Sequence, residues 1–200
     1  MNTSSTIDKV GPIGVFPAYF TSQETTLIIL GKNGWSSASF TVQDEQGKLL
    51  MTGHPGKSKF WGRKYEIMVT DANGKQLFDI HRHVKLSKKV CTVLNEGQEI
   101  MEVHQKNIMS FKRRMTGTFT NAESGVSHTL ALDGDWKGKN FKVNLEDGEE
   151  VATVKRSYMK NWGNHYALTV AENVDLALMS ALGICIVASI MEDEMAAAVA

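Results

Sequence analysis

The chain predicts a mostly-β fold: a closed antiparallel β-barrel of about twelve strands wrapped around a central hydrophobic C-terminal α-helix. Three observations carry this expectation. A glycine-containing turn phrase recurs between apolar stretches, a two-residue alternation runs through the flanking segments, and the last segment is apolar on every side. Two hundred residues suffice for a real core. No composition break or Ser/Pro-rich linker divides them. One barrel domain is therefore expected over 25–192, with an extended arm at 1–24, a central helix at 174–191 and a short tail at 193–200.

The strands follow from the turns. The phrase reads Val42-Gln-Asp-Glu-Gln-Gly47-Lys-Leu-Leu50, then Val69-Thr-Asp-Ala-Asn-Gly74-Lys-Gln-Leu77, with looser echoes around Gly97 and Gly148. Glycine takes positive φ, and Asp or Asn bonds its own backbone, so each phrase is a hairpin turn. All three prolines lie at or before Pro55, which leaves the rest of the chain free of residues that interrupt a ladder. Alternation sets the inward faces: Tyr65, Ile67 and Val69; Val126, Leu130 and Leu132; Phe141, Val143 and Leu145; Tyr166, Leu168 and Val170. The resulting spans are 25–31, 36–44, 48–54, 63–70, 75–81, 88–94, 98–105, 114–120, 126–132, 139–145, 149–157 and 165–171.

The final element is different in kind. Leu176 to Met191 carries no charge, is rich in Ala, Leu and Met, and can be capped by Asn173 or Asp175. A helix apolar all round lies inside protein or inside a membrane. The run is slightly shorter than the ~18–20 residues that span a bilayer. No Lys or Arg flanks it, and Glu192, Asp193 and Glu194 follow it. Ser180, Gly183 and Ser189 keep it narrow. A barrel of this size needs filling, so the helix is assigned to its core.

These residues resemble the LURP-one-related family, relatives of the phospholipid scramblases with the tubby C-terminal-like fold. The similarity rests on Pro17-Ala-Tyr19-Phe20, on both turn phrases, on Val84-Lys-Leu86-Ser, and on Asn173-Val-Asp175-Leu-Ala-Leu leading into the apolar helix. Where the family usually has a tryptophan after the Leu-Ser strand start, this chain has Val90-Cys91-Thr92. The resemblance implies a non-enzymatic binding or scaffold domain that touches phosphoinositide headgroups or an anionic membrane surface, or a protein partner. The alternative it implies is a scramblase-like or tail-anchored membrane protein using 176–191.

Composition bounds the partners. Twenty-two basic residues balance twenty-two acidic ones, so no long-range field steers nucleic acid to the whole molecule, and none is expected as a partner. Cys91 and Cys185 are too few for a disulfide scaffold. They sit among apolar neighbours and read as buried, inert thiols. The N-terminal residues lack the basic and apolar regions of a secretory signal, so a cytoplasmic location is expected, at the cytosolic membrane face or in the nucleus.

Catalytic patterns are missing. Gly53-His54-Pro55-Gly56-Lys57-Ser58 echoes a phosphate loop, but Met51 replaces its first glycine and no helix follows. His81 and His83 share a strand face without the further ligands a zinc site needs. His128 reads as a core histidine. No catalytic residue, metal site or cofactor is expected. The strongest binding signal is Lys57, Lys59, Arg63 and Lys64 around Phe60 and Trp61, a composition suited to a lipid headgroup surface. Lys57, Lys59, Trp61, Arg63 and Lys64 are the expected headgroup residues. Lys85, Lys88 and Lys89, and the run Lys112-Arg113-Arg114, read as solvated charge.

Overall fold

The structure is a computed structural model that describes residues 12–32, 39–56, 65–85, 88–106, 114–135, 139–157 and 164–199. After a short 3-10 turn at Pro17–Tyr19 come twelve strands: β1 (Thr25–Lys32), β2 (Ser39–Asp44), β3 (Leu49–Pro55), β4 (Tyr65–Asp71), β5 (Gln76–Lys85), β6 (Lys88–Asn95), β7 (Gln98–Lys106), β8 (Arg114–Thr120), β9 (Ser127–Asp135), β10 (Asn140–Leu145), β11 (Glu150–Ser157) and β12 (Asn164–Val170). Helix α1 (Leu176–Val199) ends the chain. Each strand pairs antiparallel with its sequence neighbours, and β12 returns to β1 to close the barrel.

The turn chemistry behaves as its residues require. Gly47, Gly74, Gly97 and Gly148 all have φ between 81° and 93°, a region closed to most side chains. Asp44 Oδ1 accepts from the Gln46 and Lys48 amides, and Asp71 Oδ1 accepts from the Asn73 and Lys75 amides, so the two clearest phrases build the same turn. A register shift beside each of the four turns, as at Val42/Gln43 and Val69/Thr70, adds the bulge that curves the sheet.

Inward phases meet around α1. Leu27, Ile29, Ile67, Val69, Ile80, Val93, Leu130, Val143, Val154, Tyr166 and Val170 are fully buried, as are Leu178, Ile184, Ile186 and Val187 of the helix. The narrowness of α1 has a use. A Cβ at Gly183 would sit 2.5 Å from Ile29 Cδ1, so any larger residue would have to push the end of that β1 side chain aside. Cys185 of the helix hydrogen-bonds with Cys91 of β6. That contact, together with burial, pushes the Cys185 thiol well above its usual range.

Several expectations shift. Strands β5 and β9 run past positions 81 and 132 to Lys85 and Asp135, because ladder bonds continue where the side chains have turned polar. The tail expected at 193–200 is helical to Val199, in keeping with the strong helix preference of Ala196, Ala197 and Ala198. Val126 lies before β9 and is 53% exposed, so it is no inward residue.

The helix enters the barrel under the N-terminal arm. Ile13 and Phe20 bridge to Val174 and Asp175. Asp175 accepts four amides: Val15 and Phe16 of the arm at 2.9 and 2.7 Å, and Ala177 and Leu178 of the first helical turn at 2.8 and 3.1 Å. One carboxylate thus caps the helix and ties down the arm. Burial pushes its pKa up, against the pull of those four donors.

Candidate functional site: the charged mouth of the barrel

At the other end of α1 the inward phase of the sheet changes character. On β5 the residue two beyond Ile80 is Arg82, on β6 the residue two before Cys91 is Lys89, and on β11 the residue two beyond Val154 is Arg156. Lys139 stands two before Phe141, in a left-handed conformation at φ 56° that a side chain adopts only at a cost. Strand parity points the first three toward the axis, and its ion pair with Glu194 brings Lys139 to them.

They meet the acidic turn that follows the apolar run. Arg82, only 4% exposed, pairs with Glu192. Lys89 Nζ lies 3.1 Å from Glu192 Oε2 and 3.7 Å from Asp193 Oδ1. Glu194 pairs with Lys139 and, at 3.3 Å, with Arg156. Burial and the Arg156 charge hold the Lys139 ammonium below the ordinary lysine range. Gln105 of β7, in register with Lys89, lies at the same level. It is 3% exposed, and neither end of its amide has a hydrogen-bond partner among the described residues.

These residues escaped sequence reading, although the signal was present. Each cation stands at a two-residue step from a core residue at a strand end, and three carboxylates follow the longest uncharged run. Lys89, read there as solvated charge, is instead an inward ion-pair partner. The expected headgroup residues Lys57, Lys59, Trp61, Arg63 and Lys64 lie outside the described residues. Their flanks do not: Tyr65 stands opposite Arg82, which places the start of β4 at the charged mouth.

The opposite end offers two surface cavities. One of about 320 Å³ is lined by Val15, Ile100, Phe119 and Ser127 among others. A second, about 270 Å³, holds Ser124 and His128. His128 stacks on Phe119 with ring centroids 5.6 Å apart, and no hydrogen bond joins it to Ser124 among the described residues. A nucleophile without its base is not a catalytic pair. His81 lies 3.9 Å from Glu66 and His104 3.3 Å from Glu102, both as strand-surface pairs. Among the described residues no three His, Cys, Asp or Glu side chains gather to hold a metal ion.

With the barrel, its helix and both ends described, the comparison with known families is decisive: residues 25–187 match the LURP-one-related family. The chain belongs to that family. The match runs from the first strand into the central helix, so it covers the elements that make the LURP-one-related barrel and stops before the acidic turn. A twelve-stranded barrel around a hydrophobic helix is the tubby-like architecture. No curated protein is similar enough to the chain to count as a relative.

Proposed function

We infer that this LURP-one-related protein is a non-enzymatic binding domain that meets an anionic membrane surface weakly, through the charged end of its barrel. The observation that carries the reading is the use made of the helix. By length and composition α1 is able to cross a bilayer, but 83% of its most apolar stretch is buried within the barrel. With the helix committed to the core, the outer surface and the barrel ends remain for partners. The basic segment 57–64 leads into β4, whose first residue, Tyr65, pairs with Arg82 at the mouth. Cations at one end of a chain with no net charge suit local headgroup contact.

Each lysine near an anionic surface contributes ~1 kcal/mol, so the contact is weak and salt-sensitive. In liposome sedimentation with phosphoinositide, the wild type is expected to bind at low salt and release at moderate salt. The variant with Lys57→Glu, Lys59→Glu and Lys64→Glu is expected to stay in the supernatant at both. Equal binding by the two proteins removes the segment from the mechanism. Binding by neither points to a protein partner, and recovery of the full chain only in detergent points to a membrane-embedded helix.

A further inference from the structure

We propose that the barrel mouth is an anion site that the protein occupies with its own acidic turn, and that its external ligands are compact phosphate-bearing anions. The proposal concerns Arg82, Lys89, Lys139 and Arg156, not the Lys57–Lys64 segment, and stands whether or not that segment touches lipid.

Four features of the mouth go beyond a clamp for the helix end. First, four cations converge there from four places on the sheet, two of them bringing guanidinium forks that match carboxylate or phosphate oxygens. Second, Lys139 holds its place through a left-handed backbone, a cost met where geometry serves a site. Third, the Gln105 amide is buried at the same level and used by nothing among the described residues, including the acidic turn. An unmet buried donor is costly, and a further oxygen ligand would meet it. Fourth, the plug is seated near solvent: the side chains of Glu192, Asp193 and Glu194 are 29%, 29% and 36% exposed. The helix carboxylates therefore stand where the oxygens of an incoming anion would lie. The tether gives them a high effective concentration, and a phosphate group counters this with more charge and three acceptor oxygens at one point.

Glu194 is the residue to change. It bridges Lys139 and Arg156, and Glu194→Gln leaves the buried Arg82–Glu192 pair intact. The change leaves four cations facing two carboxylates. By titration calorimetry at low ionic strength, full-length Glu194→Gln is expected to bind inorganic pyrophosphate about tenfold tighter than wild type. Adding Lys139→Gln is expected to cancel the gain. Asp193→Asn provides a second route should Glu194→Gln fail to fold, and is expected to act in the same direction. Sedimentation with phosphatidylcholine vesicles containing phosphatidic acid separates the two sources of phosphate. A gain there assigns a lipid headgroup, and a gain with pyrophosphate alone assigns a free phosphate compound. The gain is expected to persist when Lys57, Lys59 and Lys64 are all changed to Glu, which separates this site from the membrane contact proposed above. The proposal is overturned if folded Glu194→Gln and Asp193→Asn gain on neither probe, or if the gain survives Lys139→Gln.

Discussion

Asp175 shows how much a single side chain holds in this molecule. Its two oxygens each take a pair of amides, one pair from the arm and one from the first turn of α1. Gly14 makes room for it: a Cβ there would fall 2.1 Å from Asp175 Cβ. Asp175→Ala strips the acceptor from four donors at once and is expected to cost about 2–4 kcal/mol in denaturant unfolding. Asp175→Asn should recover only part of this, since its amide has one carbonyl oxygen to offer. His165 on β12 argues a different point. It is 7% exposed, and burial lowers its pKa below the ordinary histidine value of about 6.5. Above that value neither folded nor unfolded chain binds the proton, and the group is neutral in its effect. As pH falls below it, the unfolded chain takes up the proton first, and stability is lost until the folded histidine also titrates. Denaturation midpoints at pH 7.5, 6.5 and 5.5 should therefore fall more steeply for wild type than for His165→Gln.

At the scale of the element, α1 is an inside-out case. A surface helix keeps one apolar stripe, whereas this one is apolar around its whole girth because strands surround it. Ile186 is fully buried at its middle. Ile186→Asp puts a charge into the barrel with no partner and is expected to cost about 4 kcal/mol or more, read as loss of cooperative unfolding or of folded protein. Ile186→Leu keeps the volume and should cost less than about 1.5 kcal/mol. The contrast between the two separates a charge effect from general intolerance at the site. The strands obey a simpler rule. Their outward residues face solvent, while the inward ones pack on a single helix.

The whole molecule has two unlike ends. Where α1 enters, neutral backbone bonds to the arm and one carboxylate complete the closure. Where it leaves, five ion pairs between the described residues of sheet and helix do so. Buried backbone and capping hydrogen bonds respond little to salt, whereas part-exposed ion pairs weaken with it. The polarity of the barrel therefore follows from the direction of one helix, and both proposals on binding concern the same, charged end.

The sequence by itself determined the turns, the strands between them and the buried helix, because each rests on a local rule. Positive φ at Gly47 or Gly74 is a property of glycine, and the alternation of Phe141, Val143 and Leu145 is a property of the pleat. Helix end and strand ends were legible only to within a few residues, since hydrogen-bond ladders outlast the apolar pattern that reveals them. The charged mouth was not legible as a site. Arg82 and Glu192 are more than a hundred positions apart, and on a strand the inward phase alone does not say what a cation will face. Closure of the barrel and the axial position of α1 decide that together. The contact of Cys91 with Cys185 has the same origin: local chemistry chose the elements, and only the closed sheet chose which of their side chains meet.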